Sequence, residues 1–96
     1  MTLTTQPRCN PLKSLTIPSV RQVSYREVGD LGAAPLVLLH GVGMQSAAWA
    51  PQLAALSQAH HVVALDLPGH GDSAPLAKGA GLEDYVAWLH AVLTHL

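Results

Sequence analysis

A chain of 96 residues holds one small domain or a piece of a larger one. It is 49% hydrophobic and 11% charged with a formal net charge of −1, which excludes a disordered tail, and its five scattered Lys and Arg offer no basic face to nucleic acid. No apolar run reaches the roughly 20 residues that cross a bilayer. The single Cys9 has no internal disulfide partner, and residues 1–11 lack a secretory signal's apolar core, so a cytoplasmic protein that does not engage membranes is expected.

Residues 1–19 carry Pro7, Pro11 and Pro18 among polar residues and read as a flexible leader. Ser14 to Ile17 can join an edge strand at most, because Pro18 has no N–H to donate. Residues 20–28 alternate: Arg21, Val23, Tyr25 and Glu27 share one face, and Gln22, Ser24 and Arg26 the other. That pattern predicts a strand near the rim of a sheet, exposed on one side. Leu36-Val37-Leu38-Leu39 is an unbroken apolar run between Pro35 and His40-Gly41. It predicts a central strand buried on both faces.

After the loop Gly41-Val42-Gly43-Met44-Gln45, Ser46 can cap a helix running to about Ser57, with Pro51 early in it. Residues 61–66 form the second apolar strand, ending at Asp66. Pro68-Gly69 suits the middle of a type II turn. Residues 82–96 carry the clearest helical period, with Leu82, Tyr85, Val86, Leu89, Val92, Leu93 and Leu96 on one stripe read as core packing. Glu83 and Asp84 complement the dipole of its first turn. Two apolar strands joined through a helix imply a βαβ crossover and a parallel pair. A parallel sheet needs more strands than these residues supply. The expectation is an α/β fold, with residues 20–96 forming the N-terminal portion of an incomplete domain.

Leu38-Leu39-His40-Gly41-Val42-Gly43-Met44, with Trp49 beyond it and Asp66-Leu67-Pro68-Gly69-His70-Gly71-Asp72-Ser73 further on, resembles the α/β-hydrolase superfamily over about residues 20–96. The physical reading of the first motif is independent of that resemblance. A glycine-rich turn at the carboxyl edge of a sheet lies where ligands bind in open α/β folds. Gly41 and Gly43 let such a turn aim backbone N–H groups into a cleft, where they can hold the oxyanion of a tetrahedral intermediate.

The resemblance implies that the Val42 N–H is one oxyanion donor, that Gly41, Gly43 and Met44 shape the substrate wall, and that His40 bonds backbone to fix the loop rather than acting as the general base. In the second motif Asp66 is expected to accept N–H bonds from the turn behind it, Gly69 and Gly71 to let the chain fold sharply, and Ser73 to cap or close the loop. The type II turn accounts for these residues better than a metal site of Asp66, His70 and Asp72, and no metal or other cofactor is expected. His60-His61, on opposite faces of a strand, and His90 and His95, five apart on a helix, are poor chelating pairs and read as solvated or loop histidines.

No Gly-x-Ser-x-Gly elbow occurs in the 96 residues. The family places that nucleophile after the next strand, with the acid and catalytic His later still. The expected function is that of part of a serine hydrolase acting on a small ester, lactone or related acyl substrate, inactive by itself. Gly43, where epoxide hydrolases and dehalogenases carry Pro, tilts toward esterase, enol-lactonase or carbon–carbon bond hydrolase chemistry. Non-hydrolytic members such as cofactor-free haloperoxidases stay open, as does a non-catalytic truncated chain or interaction fragment. A nucleotide-binding module fails because neither Gly-x-Gly-x-x-Gly nor a P-loop is spelled out. An open sheet edge invites self-association of the incomplete sheet.

Overall fold

The computed structural model describes residues 12–96; Cys9 and most of the proposed leader lie outside that range. Within it, the expected edge strand forms as β1 (Lys13–Ile17). It pairs antiparallel with β2 (Arg21–Gly29), with Ile17 opposite Arg21. The connecting turn closes through the Val20 N–H to the Ile17 carbonyl at 2.9 Å. Pro18 sits in that turn, where its missing N–H costs nothing, so the leader boundary at 19 falls too late: Ile17 is fully buried.

β3 (Pro35–Leu39) leads through a 3-10 turn (Ser46–Trp49) into α1 (Ala50–Leu56), then β4 (His61–Leu65) and α2 (Leu82–His95). The sheet order is β1-β2-β4-β3, with β3 and β4 parallel and the other pairs antiparallel. β4 is the central strand, and its alternation serves both faces. Val62 and Ala64 pack with Leu53 of α1. Val63 and Leu65 pack on the other face with Ile17, Val23, Trp88 and Val92, which brings in α2. The fold is thus a mixed sheet between two helical layers.

Three expectations change. β3 is an edge strand among the described residues rather than a central one, and Leu36 and Leu39 remain 37% and 41% exposed. An apolar run alone does not distinguish a paired flank from an unpaired one. α2 buries only Trp88 and Val92, while Leu82, Tyr85, Val86, Leu93 and Leu96 face outward. Of its stripe only Val92 is core here, with Leu89 packed partly against the same cluster. β2 lies one strand in from the edge, but Ser24, expected on a solvated face, is fully buried.

Glu27 on β2 ties the ladder sideways. Its carboxylate accepts from Lys13 Nζ at 3.0 Å and from His61 Nε2 at 2.7 Å. His61 is therefore a paired residue, not a solvated one. Burial alone would raise the Glu27 pKa, but the hydrogen bonds from His61 and Lys13 and their charges outweigh it, holding the group below its usual value of 4.5. A lowered folded-state pKa gives stability that is complete above the ordinary glutamate range and is lost as pH falls through the lowered value. Thermal denaturation followed across the acid range should show a shallower fall for Glu27→Gln than for the parent chain. Parallel acid limbs would contradict this assignment.

Candidate functional site

Two loops meet at the carboxyl ends of the parallel strands β3 and β4. The first turn, Gly41 to Met44, closes through the Met44 N–H to the Gly41 carbonyl at 3.1 Å. Gly43 sits at φ +84° while Val42 does not have positive φ, the signature of a type II turn with Val42 in its first central place. Gly41 has ordinary φ, and a side chain there would meet nothing within 4 Å, so this conformation does not require glycine at 41. The second turn, Leu67 to His70, closes through the His70 N–H to the Leu67 carbonyl at 2.9 Å, with Gly69 at φ +77° after Pro68.

Beneath both turns lies Asp66, 1% exposed. Its carboxylate does not serve the turn behind it, as expected, but reaches elsewhere. Oδ1 accepts the Ser46 N–H at 2.6 Å, and Oδ2 accepts the Ser24 hydroxyl at 2.6 Å. Ser46 therefore does not cap its helix with its side chain. Gln45 takes the cap position without a side-chain bond, and Ser46 Oγ accepts from Arg26 Nε at 3.1 Å. A distant carboxylate satisfies one of the N–H groups that the start of a helix leaves without an intrahelical partner.

Ser73 closes the second loop. Its hydroxyl donates to the Asp66 carbonyl at 2.7 Å and accepts the Ser24 N–H at 2.9 Å. Ser24 Oγ accepts the Asp72 N–H at 3.1 Å. These buried polar groups satisfy one another.

The two loops also exchange histidines. His40 donates from Nδ1 to the Gly41 carbonyl at 2.8 Å and accepts the Leu67 N–H at Nε2, 3.0 Å. His70 donates from Nδ1 to the Pro68 carbonyl at 3.0 Å and accepts the Gly43 N–H at Nε2, 3.0 Å. The ring centroids are 4.9 Å apart.

The Gly43 N–H is thereby occupied. The Val42 N–H has no acceptor among the described residues, and the Val42 side chain is 93% exposed. Val42 borders an apolar cleft of about 440 Å³ together with Leu39, Leu67, His70, Tyr85 and Leu89. Gly41 and Met44 instead line a separate cavity of about 270 Å³ with His40 and Trp49, and Gly43 lines neither. Val42 thus lies beside His70 and α2, while its turn neighbours Gly41 and Met44 border the other cavity. Sequence reasoning weighed His70 only as a metal ligand and missed Ser24 and Ser46 as partners of Asp66. The alternation around Ser24 carried no sign of a buried acceptor. Among the described residues no group of three or more His, Cys, Asp and Glu is placed to hold a metal, and no helix is long and apolar enough to cross a membrane.

The residues that carry both loops fall within a segment that known proteins match. The α/β-hydrolase family model matches residues 36–96. The chain belongs to the α/β-hydrolase family. It is 49% identical over 76 residues to the (E)-2-((N-methylformamido)methylene)succinate hydrolase of Acinetobacter baylyi, covering 79% of this chain and 28% of that protein. It is 34% identical over 76 residues to a non-heme haloperoxidase of Rhodococcus erythropolis, covering 78% of this chain and 27% of that one. The Cif epoxide hydrolase of Acinetobacter nosocomialis superposes with a TM-score of 0.78 at 28% identity, over 90% of this chain and 26% of its own. This α/β-hydrolase chain therefore spans little more than a quarter of the length of these relatives.

The packing of the second loop on Asp66 separates its two glycines. A Cβ on Gly71, at φ +52°, would lie 2.5 Å from the Asp66 carboxyl group, whereas one on Gly69 would meet Pro75 at an ordinary 3.6 Å. Gly69→Ala should cost about 1 kcal/mol, the backbone conformation alone. Gly71→Ala should cost clearly more, about 2–4 kcal/mol, because the carboxylate has no free space to move into. Urea denaturation of both variants checks the order; equal costs would contradict the packing.

Proposed function

We propose that residues 20–96 belong to the N-terminal part of an α/β-hydrolase domain to which β1 adds Lys13–Ile17, and that the Val42 N–H is one of the two oxyanion donors of that domain. The observation that carries this reading is the unpartnered Val42 N–H, at the carboxyl end of a parallel strand beside an apolar cleft. Its neighbour, the Gly43 N–H, is committed to His70. A type II turn with both ends held makes the Val42 N–H a fixed donor, which is what electrostatic stabilisation of a developing charge requires.

The reaction is hydrolysis of an ester, lactone or related acyl bond in a small molecule. A serine outside these 96 residues attacks the carbonyl carbon. The carbonyl oxygen becomes the oxyanion that Val42 stabilises, its collapse breaks the acyl bond and releases the alcohol with the serine's proton, and water then releases the acyl group from the serine as the acid. The relative from A. baylyi, named as hydrolysing a formamido-substituted succinate, supports acyl chemistry. The haloperoxidase relative favours a second reading, in which the same donor serves a non-hydrolytic member of the fold.

The 96 residues alone should hydrolyse p-nitrophenyl acetate no faster than buffer. Replacing the matched 76-residue segment of the A. baylyi hydrolase with the corresponding segment of this chain should retain hydrolysis. Val42→Pro in that chimera removes the N–H while suiting the first central place of a type II turn. It should lower kcat by roughly 10²–10³-fold. A chimera indifferent to Val42→Pro would refute the assignment.

The same reading makes the free flank of β3 a self-association edge, with half-exposed Leu36 and Leu39 beside it. Sedimentation velocity should show association that grows with concentration. A strictly monomeric chain would speak against it.

A further inference from the structure

We propose that His70 is the positioning residue for the Val42 donor, and that with His40 it forms a reciprocal clasp that opens when either ring takes a proton on Nε2. The first half rests on the reading of Val42 given above; the clasp itself does not.

Each ring spends both nitrogens on backbone. Nδ1 donates within its own loop, to Pro68 for His70 and to Gly41 for His40. That leaves the Nε2 lone pair of each as the acceptor for an N–H of the other loop, Gly43 for His70 and Leu67 for His40. An imidazole used in this way is neutral, because the protonated ring has two donors and no acceptor. A proton on Nε2 would set donor against donor in both places. With centroids 4.9 Å apart and planes tilted by 55°, two charged rings would also repel.

The surroundings offer little to offset such a charge. Tyr85 of α2 borders the same cleft, and no Lys, Arg, Asp or Glu does. Asp72 is the acidic neighbour on His70's own loop, and its N–H is held by Ser24. Asp66 lies behind Gly71, with one oxygen on Ser46 and the other on Ser24.

The consequence runs through Gly43. Glycine accepts either sign of φ, so its own backbone does not fix the Val42–Gly43 peptide. The bond from Gly43 to His70 and the turn bond from Met44 to Gly41 do. The role therefore requires a lone pair at the Nε2 position, not the bulk of a ring.

The test uses the whole chain labelled with 15N-histidine and 15N-glycine, read in solution or, if it associates, in the sedimented state. At neutral pH His70 should carry its proton on Nδ1. Its Gly43 amide should exchange about tenfold more slowly than an unbonded amide, after correction for intrinsic exchange. Acidification far enough to protonate Nε2 should remove that protection in step. His70→Gln keeps an acceptor oxygen that cannot titrate, and should leave Gly43 protected independently of pH. His70→Phe keeps the bulk, and should leave Gly43 unprotected throughout. If a variant distorts the turn, the titration of the parent chain alone decides. A proton on Nε2 at neutral pH, or Gly43 exchange that ignores the His70 titration, would overturn the clasp. None of these readings needs turnover, so a chimera indifferent to Val42→Pro would remove the oxyanion role and leave the clasp standing.

Discussion

One buried carboxylate organises the functional end of this chain. Asp66 lies at the end of the central strand, and its two oxygens accept from the start of the 3-10 turn and from the middle of β2. Each of those donors is buried, so losing the acceptor would leave Ser46 and Ser24 with unmet hydrogen-bonding groups. The backbone of Gly71 lies against the same carboxyl group with no room for a side chain. Three segments far apart in sequence are thus held at one point, and both strand-end loops are built on it.

The geometry of the candidate site follows from that arrangement. Asp66 sets where the second loop leaves β4 and where the helix after the first loop begins. The two histidines then lock the loops to each other, each accepting an N–H across the gap. The Val42 N–H takes no part in this lock, and Val42 stands beside an apolar cleft walled by α2. The proposed chemistry asks of these residues only a fixed donor; the attacking group comes from outside them.

Much of this was legible in the residues, for identifiable reasons. The run Leu36 to Leu39 and the stretch from His61 each end in glycine-bearing turns, so their strands, the parallel pairing and the two corners could be read locally. Pro68-Gly69 announced its turn through the φ preferences of the two residues. What could not be read depends on neighbours. Alternation places Ser24 opposite Val23, but a polar residue facing water and one facing a buried carboxylate look the same in a pattern of period two. The stripe from Leu82 to Leu96 marks an amphipathic helix without saying what covers it, and here only Trp88 and Val92 are buried. Nor does an apolar strand reveal whether its second flank is paired. The role of His70 needed the distance to Gly43, 27 residues away in the chain.

The most direct test of the organising role of Asp66 is residue-resolved hydrogen exchange on Asp66→Ala compared with the parent chain. The account predicts that protection is lost together at Ser46, Gly43, Leu67 and Asp72, while the β1–β2 ladder around Leu15 and Val23 keeps its protection. Loss confined to Ser46, with the amides of both loops unchanged, would contradict it.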